Sequence, residues 1–208
     1  MSKVYALSAA AVAVVALAGM AGYAFFGGKS NGDVLAQCRT GQVGGADIGG
    51  PFTLVNKDGA TVTEKDVLTG PTLVYFGYTF CPDVCPLDMS RNADVADLLA
   101  EKGQKVNLLF ITIDPDRDTP QLSGEFAQNI HPDAVGLSGS AEQIAAAAKA
   151  YRVYYKKQEG DDEYYLMDHS AFTYLMLPGI GFADFYKHGA PAEEVAQGVS
   201  CMLEASAG

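Results

Sequence analysis

Two cysteines four positions apart, in the run Phe80-Cys81-Pro82-Asp83-Val84-Cys85-Pro86, are the residues of this chain best placed to do chemistry. They follow Thr72-Leu73-Val74-Tyr75-Phe76, a short apolar run that predicts a buried strand. They open a stretch with helical spacing at Met89, Val95, Leu98 and Leu99 that runs to Lys102 and stops at Gly103. A helix N-terminus offers unpaired N–H groups and the positive end of the macrodipole, which lower the pKa of a thiol placed there. Two available thiolates at a sheet edge serve one of two chemistries. They exchange electrons as a disulfide, or they hold a soft metal.

The elements that must position them follow from the rest of the chain. Phe52–Val55 and Thr61–Thr63 flank Asn56-Lys57-Asp58-Gly59, which predicts a hairpin. Val106–Ile113 is a second buried strand and ends in Asp114-Pro115-Asp116-Arg117-Asp118-Thr119-Pro120, where Thr119 suits an N-cap and Pro120 the first helical position. Val135–Leu137 is a weak strand, and Ser140 with Gln143 makes a capping box before an Ala-rich helix through Tyr151. Val153–Tyr155 and Tyr164–Met167 around Gly160-Asp161-Asp162 predict an inserted surface hairpin. Ala171–Leu177 and Phe182–Tyr186 predict a second hairpin, and Pro191–Leu203 a closing helix. Alternation of strand and helix points to an α/β sandwich with a partly parallel sheet. A strand–CxxxC–helix start with a late antiparallel hairpin is the layout of a thioredoxin-like fold.

In that layout the loop before the late hairpin lies beside the cysteine helix, which brings His169 near Cys81 and Cys85. Two thiolates and one imidazole suit Cu(I), and with a further ligand Cu(II). Structural zinc normally takes four protein ligands. The plain alternative for His169 is a hydrogen-bonded loop residue. His131 and His188 read as surface residues, His131 at a helix end. Asp114, Asp116 and Asp118 lack the Gly and distal Glu of a calcium loop, so a turn with Arg117 paired locally is expected. Asp83 either shapes the cysteine loop or tunes the thiols, and Asp168 either orients His169 or supports it from outside. Met89, Met167, Met176 and Met202 read as core.

The 208-residue chain carries a formal charge of −11. Without Lys3 and Lys29, 12 basic residues face 25 acidic ones, which argues against nucleic acid as a partner. From Val4 to Gly28 there is no charged residue, with Lys3 before and Lys29 after and Tyr23, Phe25 and Phe26 near the far end. This predicts one membrane-spanning anchor over residues 1–29, a cleaved signal peptide with Ala16-Leu17-Ala18 being the rival. Residues 30–49 are Gly-rich and polar and read as a linker to a domain over 50–208. Cys38 lies just before that domain and Cys201 in its last helix, either as a disulfide or as two unrelated thiols.

Three separated motifs in order, Cys81-Pro82-Asp83-Val84-Cys85-Pro86, Phe110-Ile111-Thr112-Ile113-Asp114-Pro115 with Arg117-Asp118-Thr119-Pro120, and Asp168-His169-Ser170 before Tyr174-Leu175, resemble the Sco/SenC family. The resemblance runs from about Gly50 to the C-terminus. It implies a membrane-anchored thioredoxin-like protein that binds copper through Cys81, Cys85 and His169. It further implies help in assembling the binuclear copper site of cytochrome c oxidase subunit II, with another copper chaperone as donor. The globular domain would lie outside the cytoplasm, in the bacterial periplasm or the mitochondrial intermembrane space. The competing function is a thiol–disulfide oxidoreductase in which Cys81 and Cys85 are the redox-active pair and reduce the acceptor's cysteines. A peroxidase ranks last, since no Thr or Arg support for a peroxide-attacking thiol stands near the motif. Cys38 and Cys201 are not part of the shared motifs.

Overall fold

The computed structural model describes residues 35–39, 47–161 and 164–206. The chain divides into residues 1–37 and residues 38–208. The apolar stretch Val4–Gly28 lies outside the described residues. Among the described residues no helix is long and apolar enough to cross a membrane.

The second unit is built on one seven-stranded sheet in the order β2-β1-β5-β4-β3-β8-β9. Its strands are β1 (Thr53–Asn56), β2 (Thr61–Thr63), β3 (Thr72–Gly77), β4 (Asn107–Thr112), β5 (Val135–Ser138), β8 (Phe172–Leu177) and β9 (Gly181–Lys187). β3, β4 and β5 run parallel, while β1 and β8 join them antiparallel. The helices are α1 (Glu64–Val67), α2 (Val84–Ala100), α3 (Pro120–Ile130), α4 (Ala141–Ala150) and α5 (Ala192–Ser206). A separate ribbon pairs β6 (Tyr155–Lys157) with β7 (Met167–His169). This is the strand–helix alternation and late hairpin expected of a thioredoxin-like fold.

Central strand β3 is buried along its whole length, as a continuous apolar run requires when both faces are covered. Burying one such Leu or Phe contributes about 1.5–3 kcal/mol. Met89, Met167, Met176 and Met202 pack in the core as expected. The expected caps also form: Thr119 accepts the Leu122 N–H at α3, and Ser140 the Gln143 N–H at α4.

Local structure departs from the sequence expectations in three places. The helix α1 was not anticipated; Asp66 accepts both the N–H and the hydroxyl of Thr63 and holds this turn at the hairpin's exit. The surface hairpin is set two or three residues later than predicted. After α4, Arg152 takes a left-handed φ of 58°, while Val153 donates to Ala148 and Arg152 to Lys149. These two bonds form a Schellman cap, so residues 151–153 finish the helix instead of starting a strand. On the return side Tyr164 donates to the Asp161 side chain and stays in the turn. His169 consequently ends strand β7, opposite Tyr155, rather than sitting in a loop.

Cys38 and Cys201 form a disulfide. It closes a span of 163 residues, for which chain entropy alone predicts about 5 kcal/mol. Beside it Arg39 donates to the Ala183 carbonyl, so residues 38 and 39 of the stretch read as a linker are tied to the domain.

Candidate metal centre

The C-terminal end of β3, the N-terminus of α2 and the end of β7 converge. At this point the donor atoms of Cys81, Cys85 and His169 lie within 4.8 Å of one another. Both cysteines carry free thiols; Cys85 is buried and Cys81 is half-exposed.

The start of α2 explains the state of Cys81. Asp83 is the N-cap residue but makes no side-chain capping bond, and Pro86, third in the helix, has no N–H to satisfy. The Cys85 N–H instead donates to the Cys81 sulfur at 3.3 Å. Hydrogen bonding from the Cys85 thiol is the largest cause lowering the Cys81 pKa from 9.0 to about 3; partial burial opposes it, and the backbones of Asp83 and Cys85 lower it further. Asp83 thus acts through its backbone. Burial is the main cause that pushes the Cys85 thiol far above the ordinary range, with its bond to Cys81 adding. One thiolate and one protonated thiol therefore stand side by side.

His169 is set by its neighbours. Its Nδ1 lies 3.2 Å from the Ser170 carbonyl oxygen, which assigns the proton to Nδ1. Nε2 then turns its lone pair toward the Cys85 sulfur at 3.4 Å. A ring N–H given to a backbone carbonyl is the usual way a metal-binding imidazole is oriented. The rings of Tyr75 and Tyr78 meet the imidazole edge-on at 6.3 and 5.9 Å. Asp168 does not orient it: with the alternation of the strand it points away and accepts from Gln158 at 2.6 Å.

The Asp114–Pro120 segment braces both sides of the site. Buried Asp118 accepts the Thr79 N–H at 2.8 Å and the Thr112 hydroxyl at 2.6 Å, pinning the approach to Cys81. Arg117 lies 3.5 Å from the Tyr165 ring centroid and 4.8 Å from that of Phe80. It also pairs with Asp114 at 2.6 Å and donates to the Tyr165 carbonyl at 2.9 Å. The local Asp114–Arg117 pairing was expected. The stacking between the cysteine loop and the β6–β7 ribbon was not, although exposed Phe80 and the Tyr164-Tyr165 pair were its sequence signal.

The other histidines stay outside the site. His131 caps α3 and its Nε2 lies 3.7 Å from Asp97. His188 was expected on the surface; it is 45% exposed, yet its Nδ1 lies 3.0 Å from Oδ1 of buried Asp88 in α2. A turn residue reaching a carboxylate on another element leaves no mark in local sequence.

The SCO1/SenC family model matches residues 40–204. This chain belongs to the SCO1/SenC family. Protein SenC of Rhodobacter capsulatus is 49% identical over 205 residues, covering 98% of this chain and 92% of SenC. The solved structure of Arabidopsis thaliana ScoI with copper bound is 42% identical, with a TM-score of 0.71 over 76% of this chain and 99% of the other. Bradyrhizobium japonicum ScoI with copper bound is 40% identical, with a TM-score of 0.66 over 74% of this chain and 98% of that one. The thioredoxin-like Sco fold of this SCO1/SenC chain follows from these matches.

Proposed function

We propose that this chain holds one copper ion through Cys81, Cys85 and His169 and hands it to the copper-acceptor subunit of cytochrome c oxidase. The observation that carries this reading is the convergence of two thiol sulfurs and an imidazole Nε2 within 4.8 Å. Two soft sulfurs and a borderline nitrogen fit Cu(I), and a further ligand from solvent would suit Cu(II). The copper bound in the Arabidopsis and Bradyrhizobium relatives supports the choice of metal. Copper here is cargo. With three protein donors and half-exposed Cys81 at the rim, an acceptor thiolate can take it by successive ligand exchange.

The full arrangement proposed is an anchor over residues 1–29, a linker over 30–49 whose Cys38 and Arg39 are fastened to the domain, and the metal-carrying domain over 50–208. The domain would lie outside the cytoplasm, supplied by another copper chaperone. The domain's disulfide supports an oxidising compartment.

A second reading, reduction of the acceptor's cysteines, is supported by the free Cys81 and Cys85 thiols standing within reach of one another. In that reading Cys81, the more exposed of the two, attacks the acceptor's disulfide and Cys85 displaces the reduced acceptor, leaving a Cys81–Cys85 disulfide. Anaerobic Cu(I) titration of the full chain, with Cys81 and Cys85 reduced, against a chelator tests the metal reading. One tight copper in wild type, lost in Cys81→Ala/Cys85→Ala, is expected. No tight copper in wild type would leave the redox reading alone.

A further inference from the structure

Beneath the three donors, two buried polar atoms have no hydrogen-bond partner: the Tyr75 hydroxyl oxygen and Asp88 Oδ2. Tyr75 is fully buried on β3, two positions before Gly77 and on the same face. A methyl built on Gly77 would lie 2.8 Å from Tyr75 Cε1 and 2.9 Å from the Cys85 sulfur, so ring edge and sulfur flank one spot. The same ring meets His169 edge-on. Tyr75 therefore adjoins two of the three donors, and its hydroxyl is left over.

Buried hydroxyls are normally paired, and a thiol is a weak acceptor while a thiolate is a strong one. We propose that the Tyr75 hydroxyl is the hydrogen-bond donor to the Cys85 sulfur when that sulfur is a metal-bound thiolate. Tyr75 is then a positioning residue that tunes Cys85 without ligating the ion. The proposal rests on the copper reading above. Asp88 is the other open acceptor nearby, but its Oδ1 is already engaged by His188 and Arg91, and no bond joins its Oδ2 to Tyr75.

A hydrogen bond to a ligating sulfur draws electron density from it and raises the potential of a copper–thiolate site. The test is full-length protein loaded with Cu(II), comparing wild type with Tyr75→Phe, which keeps the ring and removes only the oxygen. Two quantities are read: the energy of the thiolate-to-copper absorption and the Cu(II)/Cu(I) potential. In Tyr75→Phe the absorption is expected to move to lower energy and the potential to fall, with one copper still bound. A chain carrying 3-fluorotyrosine at position 75 alone, a stronger donor of nearly the same shape, should move both quantities the opposite way. Unchanged absorption and potential in folded, loaded Tyr75→Phe would overturn the proposal and leave the copper reading standing. Absence of the absorption in wild type would overturn this proposal, while the copper reading stands or falls on the Cu(I) titration. Should Tyr75→Phe fail to fold, the fluorotyrosine chain decides alone: an upward shift supports the bond, and no shift removes it.

Discussion

The backbone N–H of Cys85 points at the sulfur of Cys81 across 3.3 Å, so the first turn of α2 is capped by a thiolate where an oxygen would ordinarily serve. The cap and the charged sulfur stabilise one another. The two thiols are also separated chemically: the Cys85 thiol's hydrogen bond chiefly lowers Cys81, and burial chiefly raises Cys85.

That separation predicts selective chemistry. At mildly acidic pH, iodoacetamide should modify Cys81 much faster than Cys85 in the metal-free chain, read by peptide mass spectrometry. The pH dependence of stability follows in sign. Cys81 binds fewer protons folded than unfolded, so its contribution is fully present above 9.0 and is lost as pH falls toward about 3. The raised Cys85 acts oppositely, and its contribution is lost as pH rises above its ordinary thiol value. Denaturant midpoints of wild type and Cys81→Ser across pH 4 to 8 check this: the wild-type slope should flatten in the variant.

Gly77→Ala should damage the site from below. Its methyl would meet the Cys85 sulfur at 2.9 Å, Tyr75 Cε1 at 2.8 Å and Phe110 Cε2 at 3.2 Å, all in side chains that are fully buried. Overpacking of this kind costs about 1–3 kcal/mol. A lower melting temperature together with weakened Cu(I) affinity is expected, and retention of both would contradict the packing described.

Arg117→Lys should loosen the brace between the cysteine loop and the β6–β7 ribbon. Lysine keeps the charge but loses the planar stack on Tyr165 and Phe80 and the paired donors to Asp114 and the Tyr165 carbonyl. A destabilisation of about 1–2 kcal/mol is expected. Faster amide hydrogen exchange at residues 164–169 should accompany it.

Removing the disulfide should separate stability from chemistry. Cys38→Ser/Cys201→Ser is expected to lose about 2–5 kcal/mol in denaturant unfolding. Its Cu(I) affinity should remain at the wild-type value, since neither residue belongs to the donor cluster.

Much of this was legible because it is local. The Cys81–Cys85 spacing, the buried runs of β3 and β4, and the caps at Thr119 and Ser140 each follow from a few adjacent residues. His169 was legible through the thioredoxin-like layout, which sets the segment before the late hairpin beside the cysteine helix, and through the motif resemblance; nothing near it in sequence ties it to the cysteines. What stayed hidden depends on tertiary contacts. The left-handed Arg152 delays the ribbon, the Arg117 stack joins three separate segments, and His188 finds Asp88 a hundred positions away. The pairing of Cys38 with Cys201 needed the segment entering the domain placed beside its last helix.

The central claim is that His169 is the third metal donor. Cu(I) affinity of the full chain, with Cys81 and Cys85 reduced, should be measured by chelator competition for wild type and His169→Ala, alongside the rate of disulfide exchange with a small-molecule disulfide. The account predicts an affinity at least roughly tenfold lower in the variant and an exchange rate that largely survives. Equal affinity in the two proteins would remove His169 from the site and contradict the three-donor reading.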